Sequence, residues 1–540
     1  MAWISYNGSH CSLERGRTIF DYADELAVQV PTSCGRSGIC HECIVEVKRG
    51  MEALCPRTAP EGFLRENYRL ACQAVIGNPE TEVDFALLQR RPRILTKSTA
   101  AQSEIDPVVT RVDNKVLYDG EVIDAYRGHA YGAAIDVGTT TIVIELADLE
   151  TGATVCLASL ENPQRFGGSD VMHRISYDSG SYQGELHRTV INALNHELKE
   201  MCRVLGIVRQ EIYEVVVVGN ATMRDLFFNL DVQSIGQRPY KSLVEHEYRA
   251  GKRQTTSLIE LAHRLGILAH PKARIYGAPL IASHVGADTA ADLLAIDINA
   301  QKDAVMLVDI GTNTEVVVGQ AGRLVAASCP AGPAFEGGLI TYGMNAGDGA
   351  IETLRLNDGV WEYGTIGDVV PKGICGSGLI DLLAELRRHG LMSPKGVFAG
   401  KAREFTIVPE QGITFSREDM SNLAQAKAAN YCGQFIAMRT FGLQPAQISK
   451  VYLAGGFANY IEVRNAIEIG FLAPLPEDRI VKVGNASLAG ARQMLLSRRK
   501  RQSIEELVKR VEHVELETTP DFFNIFVEGC QFKPMPAQLE

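Results

Sequence analysis

The sequence predicts two unlike parts, a small α+β module around a cysteine-bearing loop and a large two-lobed α/β region. Three observations predict this. Cys34, Cys40 and Cys43 crowd one glycine-containing loop, and Cys72 follows at a distance. The stretch from Ala133 to Glu145 has an apolar lead-in, a lone Asp136, Gly138, the hydroxyls of Thr139 to Thr141 and a β-branched run. That grammar is strand, tight turn, strand. It returns from Val305 to Val318, with Asp309, Gly311, Thr312 and Asn313 in the corresponding places. A single buried aspartate beside a glycine turn is common, but two copies point to two similar halves, each offering a hairpin to one shared ligand.

Length and composition set the bounds. A chain of 540 residues has room for roughly three or four domains with large cores. Hydrophobic content of 46% and charged content of 22% are those of an ordinary globular protein. The excess of 65 acidic over 54 basic residues, a net charge of −11, argues against general nucleic-acid binding. No charged-then-apolar leader and no apolar run near 18 residues is read, so the expectation is a cytoplasmic protein without membrane contact. Twelve cysteines in so long a chain do not indicate a disulfide scaffold.

The N-terminal module is read as residues 1–88. Three thiolates on a tight loop, followed by a strand and a distant fourth thiolate, suit a two-iron cluster. Gly35 and Gly38 let backbone N–H groups turn toward the sulfurs. Asp21 to Val30 reads as helix, with strands before and after the loop. A four-cysteine zinc site wants two closely spaced pairs, and Cys72 has no near partner in sequence. Cys11 and Cys55 fall outside the pattern. The C-x5-C-x2-C…C spacing resembles the 2Fe–2S ferredoxins, its first interval one residue longer than the plant type and similar to the adrenodoxin-like branch. That resemblance implies a ferredoxin-like (β-grasp) domain with Cys34, Cys40, Cys43 and Cys72 as metal ligands.

Residues 89–130 read as a linker, polar from Gln89 to Glu104, with a short hairpin around Asp119-Gly120. A tether that lets the module swing and a passive spacer fit the residues equally.

The region 131–540 continues as alternating elements. Asn162 opens a glycine-rich turn, and helical periodicity runs from Gly184 to Leu205. A buried strand from Glu214 ends on Gly219-Asn220. Helices start at Gly286 and Gly376, a strand from Lys450 ends on Gly455-Gly456, and a late small-residue helix follows Gly484. This order of Asp-Gly-Thr, Val-Gly-Asn, Gly-Ala-Asp-Thr, a second Asp-Gly-Thr, Ala-Gly-Gly and Gly-Asn-Ala-Ser-Leu resembles the actin, sugar kinase and DnaK-type ATPases. The resemblance implies two ribonuclease-H-like lobes around Mg²⁺ and ATP. It places Asp136, Gly138, Thr139 and Thr140 in the first phosphate loop and Asp309, Gly311, Thr312 and Asn313 in the second, with Gly455 and Gly456 near the adenosine. Asp136 and Asp309 are the candidate catalytic carboxylates, serving hydrated Mg²⁺.

A 2Fe–2S ferredoxin module joined to such an ATPase resembles the reductive activators of corrinoid proteins. The match extends to Ala331-Gly-Pro-Ala-Phe-Glu336 and Gly219-Asn220-Ala-Thr222. It implies ATP-dependent one-electron reduction of Co(II) to Co(I) in a corrinoid protein of a methyltransferase or O-demethylase system. It further implies an upstream donor (a reductase, ferredoxin or flavodoxin) and a homodimer. Longer members carry an extra small domain where about 40 residues stand here. Three rivals keep the same parts: an ATP-driven electron donor to another low-potential enzyme, a small-molecule kinase with a regulatory ferredoxin domain, and a nucleotide-dependent redox sensor or scaffold without turnover. Elsewhere His284 reads as a satisfied core or surface histidine, Cys329 and Cys375 as small buried residues, Arg498 to Ser503 as a solvated helix end, and Phe522 to Val527 as a terminal strand packed on the ATPase.

Overall fold

The computed structural model describes residues 2–87, 90–93, 105–456 and 458–539. The chain forms two compact units, residues 1–278 with 491–501, and residues 279–490 with 502–540.

In the first unit the N-terminal module holds β1 (Trp3–Tyr6), β2 (Ser9–Ser12), α1 (Ile19–Glu25), β3 (Ile44–Arg49), β4 (Tyr68–Leu70) and β5 (Val83–Leu87). The sheet runs β2-β1-β5-β3-β4, with β1 and β5 parallel. Helix α1 starts two residues earlier than the expected Asp21. Thr18 caps it: its hydroxyl accepts from the Asp21 N–H at 3.1 Å, and the Asp21 carboxylate accepts from the Thr18 N–H at 2.9 Å. It ends at Glu25, well short of Val30, because Ala27 takes a left-handed φ of 58°. Beneath the loop, Glu61 and Arg69 form a fully buried ion pair at 2.7 Å.

Strand β6 (Arg90–Arg93) pairs with a strand of the following lobe. Residues 94–104, the centre of the predicted linker, lie outside the described residues. Beyond them the structure holds more than the expected hairpin. Strands β7 (Val109–Val112), β8 (Lys115–Tyr118) and β9 (Glu121–Ala125) make a three-stranded antiparallel sheet. The Asp119-Gly120 turn joins two of them with φ of 49° and 84°.

The first lobe adds β10 (Tyr131–Val137), β11 (Thr141–Asp148), β12 (Thr154–Glu161), α2 (Val171–Asp178), α3 (Glu185–Leu205), β13 (Ile212–Val218), α4 (Ala221–Phe227), α5 (Leu243–Arg249), β14 (Leu258–Leu261) and β15 (Arg274–Gly277). Its sheet order is β14-β15-β13-β10-β11-β12-β6. β13 is buried along its whole length, as the run Val215 to Val218 demands of a central parallel strand. Arg492, returning late in the chain, pairs with Glu145 at 2.8 Å and closes this lobe.

The second unit contains α6 (Ala287–Ala295), β16 (Val305–Ile310), β17 (Thr314–Gln320), β18 (Arg323–Cys329), β19 (Ala350–Asn357), β20 (Val360–Thr365), β21 (Gly373–Ile374), α7 (Gly376–Arg388), β22 (Glu404–Val408), β23 (Ile413–Ser416), α8 (Arg417–Phe441), β24 (Lys450–Ala454), α9 (Val463–Glu468), β25 (Ile480–Gly484), α10 (Ala486–Leu496), α11 (Arg498–Leu507), β26 (Val511–His513) and α12 (Phe522–Gly529). Its main sheet runs β25-β24-β16-β17-β18-β26. The five strands β25-β24-β16-β17-β18 repeat the order β15-β13-β10-β11-β12, so each unit carries the same meander-plus-parallel core. Helices α10 and α11 belong partly to each unit.

Two expectations are corrected. Phe522 to Val527 is helix, not strand: α12 buries Ile525 and packs on α8 while Phe523 stays 75% exposed. The basic run from Arg498 is helical but not simply solvated. Arg501 reaches the buried Glu214 at 2.9 Å, and Arg498 donates to the carbonyls of Pro107 and Val108 at 3.1 and 3.2 Å.

Candidate functional site

The cysteine loop is built from left-handed turns. Gly35, Arg36, Gly38 and His41 have φ of 61°, 68°, 82° and 58°. A Cβ on Gly38 would stand 3.0 Å from Pro60 and 3.1 Å from Gln73, so a side chain there would be strained in conformation and would crowd both neighbours. The turns aim backbone N–H groups at sulfur. Burial raises the Cys34 thiol, but hydrogen bonds from Ser37 and from Cys40, and the backbone N–H groups of Cys40 and Ile39, bring it down to about 5. The Cys43 hydrogen bond brings the Cys72 thiol down to about 7 against burial, with help from Gln73 and the Gly38 N–H.

The thiols stand in two pairs. Cys43 and Cys72 lie 3.4 Å apart, Sγ to Sγ, and Cys34 is hydrogen-bonded to Cys40. Among the described residues no three cysteine, histidine or acidic side chains close on a single point. Two pairs of soft thiolates, each the complement for one iron, with N–H groups directed at the sulfurs, fit a two-iron cluster. Cys55 is held by its backbone, its N–H donating to Val75 O and its carbonyl accepting from Arg69.

The loop does not hang on a free tether; it packs against the first lobe. His41 Nδ1 lies 2.9 Å from Glu185 Oε2, Asn192 donates to Cys40 O at 2.8 Å, and Arg188 donates to Ile39 O. His41 stacks on Phe63, which meets Phe166 edge-on, and Tyr177 donates to Phe63 O at 2.6 Å.

The first Asp-Gly-Thr hairpin is β10 and β11. Asp136 sits one residue from the strand end, opposite Val143. Its turn is fixed from behind by residues without a predicted role. Asn162 donates to Gly138 O at 2.8 Å, Arg174 to Thr139 O at 2.7 Å, and Asn220 to Thr139 Oγ1 at 3.1 Å. Asn220 also caps α4 by accepting from the Met223 N–H at 2.9 Å. The Gly-Asn turn after a buried strand was the signal for Asn220; the buried Arg174 left none.

The second hairpin is β16 and β17. Asp309 lies opposite Glu315, the Gly311 N–H donates to Asn313 O at 3.1 Å, and the Thr312 hydroxyl donates to Glu336 at 2.5 Å. Burial raises Asp309 to about 6 despite a hydrogen bond from Asp292. Burial, then the charges of Asp309 and Asp288, raises Asp292. Glu315 is raised by burial and then by Asp288 and Asp309. Asp292, Asp309 and Glu315 are thus neighbours whose carboxyls all hold their protons above the usual carboxylate range. Asp288 and Asp292 share a helix face at i and i+4 of α6, a spacing that was the missed signal. Ser487 donates to Asp292 at 2.9 Å. Gly455 ends β24 with φ of 106°, and a Cβ there would fall 2.1 Å from Ile310 O; one on Gly456 would meet open space. Cys329 and Cys375 are buried, and His284 is half-buried, with desolvation holding its pKa below the usual value.

Three family models match the chain in succession: a 2Fe–2S iron–sulfur cluster binding domain over residues 4–77, the middle region of RACo over 131–301, and the C-terminal ASKHA domain of RACo over 303–539. The corrinoid activation enzyme RamQ of Eubacterium limosum is 32% identical over 429 residues, covering 74% of this chain and 70% of that protein. The chain belongs to the reductive activators of corrinoid proteins. A second relative of these activators, the [Co(II) methylated amine-specific corrinoid protein] reductase of Methanosarcina barkeri, is 24% identical over 74% of this chain and 76% of its own. Among solved structures, a reductive activator for corrinoid, iron–sulfur protein superposes with a TM-score of 0.73 at 26% identity, covering 100% of this chain and 99% of that one. The family thus unites a ferredoxin domain with an actin- and sugar-kinase-like nucleotide domain, as the cysteine loop and twin hairpins predict. No described helix is long and apolar enough to cross a membrane.

Proposed function

We propose that this activator couples ATP to one-electron reduction of a corrinoid protein, taking cobalt from Co(II) to the methyl-accepting Co(I) state. The observation that carries the reading is the union in one chain of two cysteine pairs and two Asp-Gly-Thr hairpins. Cys34, Cys40, Cys43 and Cys72 would hold the 2Fe–2S cluster, which would supply a single electron. Gly138, Thr139 and Thr140 form the phosphate loop of the first unit, and Gly311, Thr312 and Asn313 that of the second, where Gly455 and Gly456 serve the adenosine. Asp136 and Asp309 serve hydrated Mg²⁺, with Asp292 and Glu315 behind Asp309. Residues 1–88 act as the electron module, 89–130 as the connection and 131–540 as the nucleotide machine, working in the cytoplasm as a homodimer fed by an upstream reductase, ferredoxin or flavodoxin.

Plant-type clusters sit near about −400 mV. A cobalt couple ~100–200 mV lower makes the transfer uphill by roughly 2–5 kcal/mol, at ~59 mV per factor of ten. A nucleotide that binds one conformation about 10⁴-fold better than another provides ~5.5 kcal/mol. Closure on ATP therefore has sufficient reach to favour the docked, reducible corrinoid, and hydrolysis resets it.

The test is visible absorption of reduced protein mixed with a Co(II) corrinoid protein, with and without Mg-ATP. A Co(I) band that grows only with ATP is expected. ATP hydrolysis and an intact cluster without any Co(I) band would overturn the reading.

A further inference from the structure

The electron module needs a place where its own donor docks, and α3 carries a surface suited to one. The first two turns of this helix hold the cysteine loop through Glu185, Arg188 and Asn192. Farther along, its C-terminal half and the segment after it form an open groove of about 390 Å³. Lys199, Arg203 and Arg209 line it, all exposed, together with Val208 and Leu268, which are 51% and 45% exposed. No acidic residue is among the lining residues. Glu200, at the rim, pairs with Arg203 at 2.8 Å. On a chain of net charge −11 this is a local reversal of sign, combined with exposed apolar surface.

The groove and the cluster loop lie along one helix. Asn192 and Lys199 are seven positions apart, about 10 Å at ~1.5 Å per residue. Arg188, at 44% side-chain exposure, and Ile39, at 63%, continue the surface to the edge of the loop. A redox encounter covering several hundred Å² per partner spans that distance. A carrier with acidic side chains around its redox group would be steered by the basic groove and brought up to Ile39.

We propose that Lys199, Arg203 and Arg209, with Val208 and Leu268, form the docking surface for an acidic one-electron carrier protein that reduces the cluster. The proposal rests on the reading of Cys34, Cys40, Cys43 and Cys72 as cluster ligands. The step moves one electron from the reduced carrier to the oxidised cluster, with no proton or bond exchanged.

The experiment follows cluster bleaching in the full-length protein after rapid mixing with flavodoxin hydroquinone, an acidic one-electron carrier. Photoreduced deazaflavin, small and uncharged, is the control reductant. Reversal of charge in Lys199→Glu/Arg203→Glu/Arg209→Glu is expected to slow reduction by flavodoxin at least tenfold at low ionic strength and to abolish its slowing by salt. The deazaflavin rate stays unchanged. The milder Lys199→Gln/Arg209→Gln keeps the test available should the triple variant misfold, with an intermediate loss expected. An unchanged flavodoxin rate in either folded variant overturns the proposal. A groove that instead serves a small anion would show inorganic phosphate binding lost in the variants while the flavodoxin rate holds, which also overturns it. Failure of the corrinoid reading is separate: it shows as no Co(I) with the unsubstituted protein, whatever carrier reduces the cluster.

Discussion

His41 Nδ1 and Glu185 Oε2 lie 2.9 Å apart, joining the segment between the second and third loop cysteines to the first turn of α3. Burial raises the Glu185 carboxyl, but the His41 contact, followed by Arg188, outweighs it and holds the group below its usual range. Glu185→Ala leaves the largely buried imidazole without this partner. The expected cost is about 1–3 kcal/mol, read as roughly tenfold or faster hydrogen exchange in residues 38–43. Exchange as slow as in the parent protein would show that Asn192 and Arg188 alone hold the loop.

Glu61 is the buried anchor of the same module. It accepts from Arg69 at 2.7 and 3.0 Å, from the Leu70 N–H at 3.1 Å and from the Thr58 N–H at 2.9 Å. Burial raises its pKa, but Arg69 and these backbone donors hold it below the usual 4.5. Its folded value being depressed, its contribution is complete above pH 4.5 and fades as pH falls through the folded value. Glu61→Gln should cost about 3–5 kcal/mol at neutral pH. In urea unfolding followed by the visible band, the acid-induced loss should then flatten; an equally steep loss would place the titrating group elsewhere.

Five cysteines of the N-terminal module lie between residues 34 and 72, and they should separate cleanly. Serine at Cys34, Cys40, Cys43 or Cys72 is expected to remove most of the iron and the visible absorption. Cys55→Ser should retain both, because Cys55 is tied in through its backbone. Iron loss in the Cys55 variant alone would reassign the ligand set.

Asp309→Asn offers a trade between stability and turnover. Burial holds Asp309 up at about 6, so removing its buried charge relieves a desolvation cost, and the nucleotide-free protein should melt about 2–4 °C higher for each ~1 kcal/mol relieved. Mg-dependent ATP hydrolysis should fall about 10²–10³-fold. A lowered melting temperature would mean that Asp309 stabilises the second lobe rather than serving the nucleotide.

The legible parts of the sequence were those whose physics is local. Cysteine spacing with Gly38, the two Asp-Gly-Thr hairpins and the long α3 are each specified by contiguous residues that need one backbone shape. Phe522 to Val527 was misread because a short apolar run carries no period to separate strand from helix. Its burial of Ile525 against α8 chose the helix.

By itself the sequence determined which turns form and which side chains sit on them: thiols on a left-handed loop, and hydroxyls and a carboxylate at each hairpin. Only the tertiary structure decided which of many chemically equivalent residues meet. It set Glu185 rather than another acid against His41, Arg492 against Glu145, and Asp292 beside Asp309. Backbone geometry is written in neighbouring residues, whereas a pair of distant charges is chosen by chain closure, which the spacing of either residue alone does not encode.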